Sequence, residues 1–75
     1  MLEDIKKILV ETANVDGSKV TEEATLHDDL GIDSLDSVEI VLELESAYDI
    51  KIEDEEIQNL KTVGDIMKLV ESKLN

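Results

Sequence analysis

The chain has no cysteine, no proline and no arginine, and only one histidine, His27. Without cysteine there is no disulfide framework, no thiolate zinc site and no cysteine nucleophile. With a lone histidine and no matching nucleophile, base and orienting group, a catalytic triad is excluded, and His27 reads as a solvated loop residue. No run of about 18 apolar residues exists, so no segment reads as membrane-spanning. The start, Met1-Leu2-Glu3-Asp4-Ile5, lacks the basic and apolar stretches of a secretory signal, and the expected compartment is the cytoplasm.

What is present is acid. Twenty acidic residues face seven lysines, for a net charge of −13 over 75 residues. Phosphate repels such a chain, which argues against nucleic acid and anionic membranes and for proteins with basic surfaces. The charge is uneven. Residues 22–56 hold 14 acids and one lysine, Lys51, while the other 40 residues hold 6 of each and are neutral. The length predicts one domain over residues 1–75, burying about 60% of its unfolded surface and leaving little room for a self-contained catalytic site. At 36% charged residues disorder is a fair objection, but 41% are apolar and strongly periodic.

Leu2, Ile5, Ile8, Leu9 and Thr12 recur at helical spacing and predict a first helix over residues 2–14, ended by Asn14 and Gly17. Residues 15–32 form a long connection, with Val20, Leu26, Leu30 and Ile32 as candidate pins to the core and Gly31 as a turn. Asp33 is an N-cap for a second helix over 34–48, with Asp36 placed for a capping-box-like arrangement. Asp49-Ile50-Lys51-Ile52-Glu53 alternates like a strand but has no partner, so it reads as an extended loop. Residues 54–60 predict one or two helical turns capped by Asp54. Thr62 caps a last helix with Asp65 three residues on, and Val63, Ile66, Met67, Val70 and Leu74 form its apolar stripe. The expected fold is all-α: a small four-helix bundle with three main helices, one short helix, and a long loop between helices 1 and 2.

On a helical wheel, Ile40, Val41, Leu44, Ala47 and Tyr48 form the core face of the second helix. Leu35 and Leu42 lie well away from it, framed by Glu39 and Glu43 on one side and Glu45 and Asp49 on the other. Two readings stand: they pack under the 15–32 loop, or they form a partner footprint whose acidic rim steers toward a basic groove. Leu35, in the first turn, is the more exposed of the two in expectation. Ser34 has two readings as well. It is an ordinary helix-start serine, or a modification site, since the positive end of a helix favours an attached phosphate. Thr12, Asn14, Asp16, Gly17 and Glu23 nearly match a calcium loop, but Thr12 stands for the usual Asp, Lys19 takes an apolar position, and no second loop exists. Clustered Asp28, Asp29, Asp33, Asp36, Glu39 and Glu43 should repel one another and bind divalent cations weakly.

The run from Asp29 to Glu39, DLGIDSLDSVE, resembles the attachment motif of the acyl carrier proteins. The likeness continues through Tyr48-Asp49-Ile50 and Asp54-Glu55-Glu56 to Thr62-Val63-Gly64-Asp65. It implies that Ser34 is esterified with 4′-phosphopantetheine, taken from coenzyme A by a separate Mg²⁺-dependent transferase, the holo-acyl-carrier synthase. The arm's thiol would carry acyl groups as thioesters, so the chain is a carrier and no enzyme, with no catalytic or metal site. Asp33, Leu35, Asp36, Glu39, Leu42 and Glu43 would face that transferase, fatty acid synthase enzymes and acyltransferases. The acyl chain would lie in the bundle's apolar interior, and the protein is expected to work as a monomer. Glu53 stands where many members have Pro, Tyr48 where Phe is usual, and Ser46-Ala47 where an acidic run often continues. A specialised carrier, for D-alanine or polyketides, is the main alternative to fatty acid synthesis. A peptidyl carrier's Gly-Gly pair is absent at Gly31-Ile32. A calcium-binding module is the remaining one.

Overall fold

The computed structural model describes residues 1–74. Its elements are α1 (Leu2–Ala13), a short 3₁₀ turn (Gly17–Lys19), α2 (Ser34–Tyr48), α3 (Asp54–Gln58) and α4 (Val63–Leu74). There is no strand among the described residues, and an isolated antiparallel bridge pairs Thr25 with Thr62. The all-α expectation of three long helices and a short one holds.

α1 carries Glu3 and Asp4 at its dipole-positive start and buries Ile5 and Leu9. It stops at Ala13 because Asn14 turns left-handed, with φ 55°, a conformation that Asn tolerates. Gly17 does not end the helix as expected. It opens the 3₁₀ turn, which Asp16 caps by accepting from the Ser18 hydroxyl at 2.7 Å and its amide at 3.0 Å. Those bonds hold the Asp16 carboxyl below the usual range.

α2 spans the residues its pattern predicts. Asp33 Oδ1 accepts from the Asp36 amide at 2.9 Å, and Asp49, at φ 53°, closes the other end. Ile40, Val41 and Leu44 are buried, but Ala47 is exposed and Tyr48 only half-buried. At this end Ala47 and Tyr48 of α2 line an open groove with Asp4, Lys7 and Ile8 of α1.

Residues 50–53 form neither helix nor strand, as expected of a loop, but Asp49 at its start is left-handed rather than extended. Ile52 is buried, and its amide donates to Glu45 Oε2 at 2.8 Å. The cap of α3 is Glu53, not Asp54. Glu56 lies three residues after Glu53, and its Oε1 accepts the Glu53 amide at 3.1 Å. The Glu53 carbonyl accepts the Glu56 and Ile57 amides at 3.0 and 3.2 Å in return, which makes Asp54 the first helical residue. Glu56 Oε1 also accepts Lys73 Nζ at 2.8 Å, which ties α3 to α4. α4 has the reciprocal cap its sequence predicts: Thr62 Oγ1 accepts from the Asp65 amide at 3.2 Å, and Asp65 Oδ2 from the Thr62 amide at 3.1 Å. Val63, Ile66 and Val70 are buried, whereas Leu74 is 50% exposed. It falls in the last turn, beyond the core, and Leu69 packs partly against the core instead.

The long loop belongs to the core. Val15, Val20, Ala24, Leu26 and Ile32 are buried, while Leu30 is only partly so. Its backbone is stitched to the start of α4: the Leu26 amide donates to the Lys61 carbonyl at 2.8 Å, and the Val63 and Gly64 amides donate to the Ala24 and Glu22 carbonyls at 3.0 and 2.9 Å. A Cβ on Gly64 would stand 3.1 Å from the Glu22 carbonyl oxygen, so this close approach favours glycine.

Candidate functional site

The site is built where the loop meets α2. Thr25 and Asp29 clasp each other: the Thr25 amide donates to Asp29 Oδ2 at 2.8 Å, and the Asp29 amide to Thr25 Oγ1 at 2.9 Å. The Gly31 amide closes on the His27 carbonyl, and Gly31 takes φ 68°, which a side chain would strain. The Ile32 amide returns to the Leu26 carbonyl at 2.8 Å. This tight turn delivers Asp33 and Ser34 to the head of α2.

Capping is done by Asp33, so Ser34 is not needed for it. Ser37 donates its hydroxyl to the Asp33 carbonyl at 3.1 Å. The Ser34 hydroxyl has no such bond among the described residues, and Ser34 is exposed. It opens on a groove of about 380 Å³ whose walls include Leu26, Ile32, Ser37, Leu60 and Lys61, with His27, Asp28 and Asp33 also lining it. Beneath lies an apolar space between α2, α3 and α4, lined by Leu26, Ser37, Ile40, Val41, Ile57, Leu60 and Ile66. Its volume is about 10 Å³, about the least that holds one water. Groove and inner space share Leu26, Ser37 and Leu60, so the floor of one is the roof of the other.

The outer face of α2 removes one of the two readings of its surplus leucines. Leu35 is 76% and Leu42 58% exposed, so neither packs under the loop. Val38, three residues after Leu35 and four before Leu42, is 49% exposed and completes a stripe. Sequence reasoning passed over Val38, although its wheel position pointed to it. Asp33, Glu39 and Glu43 are exposed and Asp36 is half-buried, so the acids expected at this surface reach it. His27 is exposed as expected, with Nδ1 3.2 Å from Asp28 Oδ1.

The calcium-loop reading fails on geometry. Thr12 lies within α1, the Asp16 carboxylate is engaged by Ser18, and no helix follows Glu23 before α2. Among the described residues no three His, Cys, Asp or Glu side chains are grouped to hold a metal ion. No helix there is long and apolar enough to cross a membrane.

Known proteins match this arrangement. The family model described as a phosphopantetheine attachment site matches residues 3–70. An acyl carrier protein of Thermotoga maritima is 49% identical over 70 residues, covering 93% of this chain and 86% of that one. One from Phenylobacterium zucineum is 45% identical over 74 residues, covering 99% and 94%. Among solved structures, an acyl carrier protein of Thermotoga maritima superposes with a TM-score of 0.86 at 35% identity, covering 96% of this chain and 84% of that one. A putative acyl carrier protein from Mycobacterium tuberculosis gives 0.86 at 37%, covering 93% of each. The chain belongs to the acyl carrier protein family, which carries 4′-phosphopantetheine covalently. The residues fit that group: an unbonded, exposed hydroxyl at a helix start, beside a groove with an apolar floor.

Proposed function

We propose that Ser34 is the attachment residue and that the chain carries acyl intermediates as thioesters between enzymes of fatty acid biosynthesis, as a cytoplasmic monomer. The observation that carries this reading is the free Ser34 hydroxyl at the mouth of a groove that leads onto an apolar interior. The arm supplies the thiol that a chain without cysteine lacks. The protein's own residues do the rest. Asp33 caps α2 and so frees Ser34. The α2 dipole favours the phosphate. Leu26, Ser37 and Leu60 offer the way in, and Ile40, Ile57 and Ile66 bound the space that must widen for a guest. Each buried methylene contributes about 0.8 kcal/mol against the cost of that widening. Leu35, Val38 and Leu42 provide apolar contact for a transferase or synthase enzyme, while Asp33, Asp36, Glu39 and Glu43 steer its basic surface.

Incubation with coenzyme A and a phosphopantetheinyl transferase should add one arm by intact mass, and Ser34→Ala should abolish the gain. Persistent modification of the Ala variant would refute Ser34. The pathway is tested by loading the holo protein: efficient malonyl transfer is expected, and preferential charging by a D-alanine ligase would place it in the specialised class instead.

A further inference from the structure

An arm on Ser34 brings a phosphodiester, one more negative charge, to the most acidic stretch of the chain. Asp28 and Asp33 already line the groove there. Only two side chains lining it can bear positive charge, His27 and Lys61. His27 faces its own neighbour, with Nδ1 3.2 Å from Asp28 Oδ1. Lys61 is placed differently. Its carbonyl accepts the Leu26 amide at 2.8 Å and its amide donates to Asp65 Oδ2 at 3.0 Å, so its backbone is fixed on the groove wall from both sides. The Asp65 carboxylate also caps α4 through the Thr62 amide. No ion pair forms at the Lys61 ammonium among the described residues. The one lysine within the acidic stretch, Lys51, does not line the groove. The loop-to-α4 stitching thus carries a free cation, distant in sequence, to the groove that starts at Ser34.

We propose that Lys61 is the counter-ion of the phosphodiester on Ser34 and holds the root of the arm against the groove. The inference rests on Ser34 being the attachment residue. A lysine serves a phosphate as a mobile point charge and needs no fixed fork geometry. Held at its root, the arm is directed along the floor of Leu26, Ser37 and Leu60 and away from solvent. The pair is exposed, so it is sensitive to salt.

The test compares apo and holo protein by NMR of the lysine Cε–Hε groups, with intact mass recording the loading. On loading, the Lys61 signal should move more than those of Lys51 and Lys73. Salt at about 1 M, where the screening length is about 3 Å, should largely remove the difference. The phosphorus resonance of holo Lys61→Met should depart from wild type, and that of Lys61→Arg, which keeps the charge, should stay near it. Neither variant alters the backbone bonds that anchor residue 61. A loaded protein whose Lys61 signal moves no more than the two control lysines overturns the counter-ion and leaves Ser34 intact, as does a phosphorus resonance unchanged in Lys61→Met. A wild-type chain that gains no mass overturns the attachment reading, and the inference with it.

Discussion

The two long faces of α2 carry the same kind of side chain and meet opposite fates. Ile40, Val41 and Leu44 are at most 4% exposed, while Leu35, Val38 and Leu42 are between 49% and 76% exposed. Hydrophobicity alone does not decide which face is interior. Neighbours decide it: α2 packs against α1, α3 and α4, with Ile40, Val41 and Leu44 in the shared core, and the second face is framed by Asp36, Glu39 and Glu43. A face kept apolar without being buried contributes little to folding, and such a patch is the kind of surface that the proposed docking to a partner would use.

The largest break in this comparison comes from truncating one leucine on each face. Leu44→Ala should cost about 2–5 kcal/mol in urea unfolding, since Leu44 is fully buried. Leu42→Ala should stay within about 0.5 kcal/mol, as surface substitutions do. Equal losses would mean that the outer stripe is structural after all.

Next in size is the effect on docking. Leu35→Ala and Leu42→Ala should each lower kcat/KM for loading by the phosphopantetheinyl transferase by about fivefold or more, the effect of about 1 kcal/mol at an interface anchor. Glu39→Lys and Glu43→Lys should weaken loading mainly at low salt and leave the unfolding midpoint in place. Equal loading by all four variants would remove this face from partner recognition.

How much of this was legible in the sequence follows the range of each signal. The span of α2, its Asp33 cap and the Thr62–Asp65 cap depend on residues within one turn, and all were readable. The family likeness was readable too, because the run from Asp29 to Glu39 that carries it is contiguous. Ala47, Leu74 and the fate of Leu35 and Leu42 depend on where another helix passes, which no local pattern states. The α3 cap was misplaced because Asp54 and Glu53 are both plausible caps, and only the reach of Glu56 back to the Glu53 amide chooses between them. Lys61 reaches the groove through bonds to Leu26, across a sequence gap that no spacing rule spans.

The smallest effects should separate the acids of the two environments. Glu39 and Glu43 have no cation among the ion pairs of the described residues, whereas Glu56 holds Lys73 at 2.8 Å. The Lys73 hydrogen bond first, and the backbone around Glu53 second, hold the Glu56 carboxyl below its usual range. Folded Glu56 therefore binds fewer protons than unfolded Glu56 through the mildly acidic region, and its contribution is complete at neutral pH. It is lost as pH falls through the lowered folded-state value. Glu56→Gln should destabilise at pH 7, and the gap to wild type should close in acid. Glu43→Gln should be neutral or stabilising at pH 7, because it removes a repulsive charge and breaks no pair. Measuring both variants by thermal unfolding across pH decides the matter. A Glu43→Gln loss matching that of Glu56→Gln would mean that the outer acids support the fold, and the division of α2 into a face for folding and a face for partners would fail.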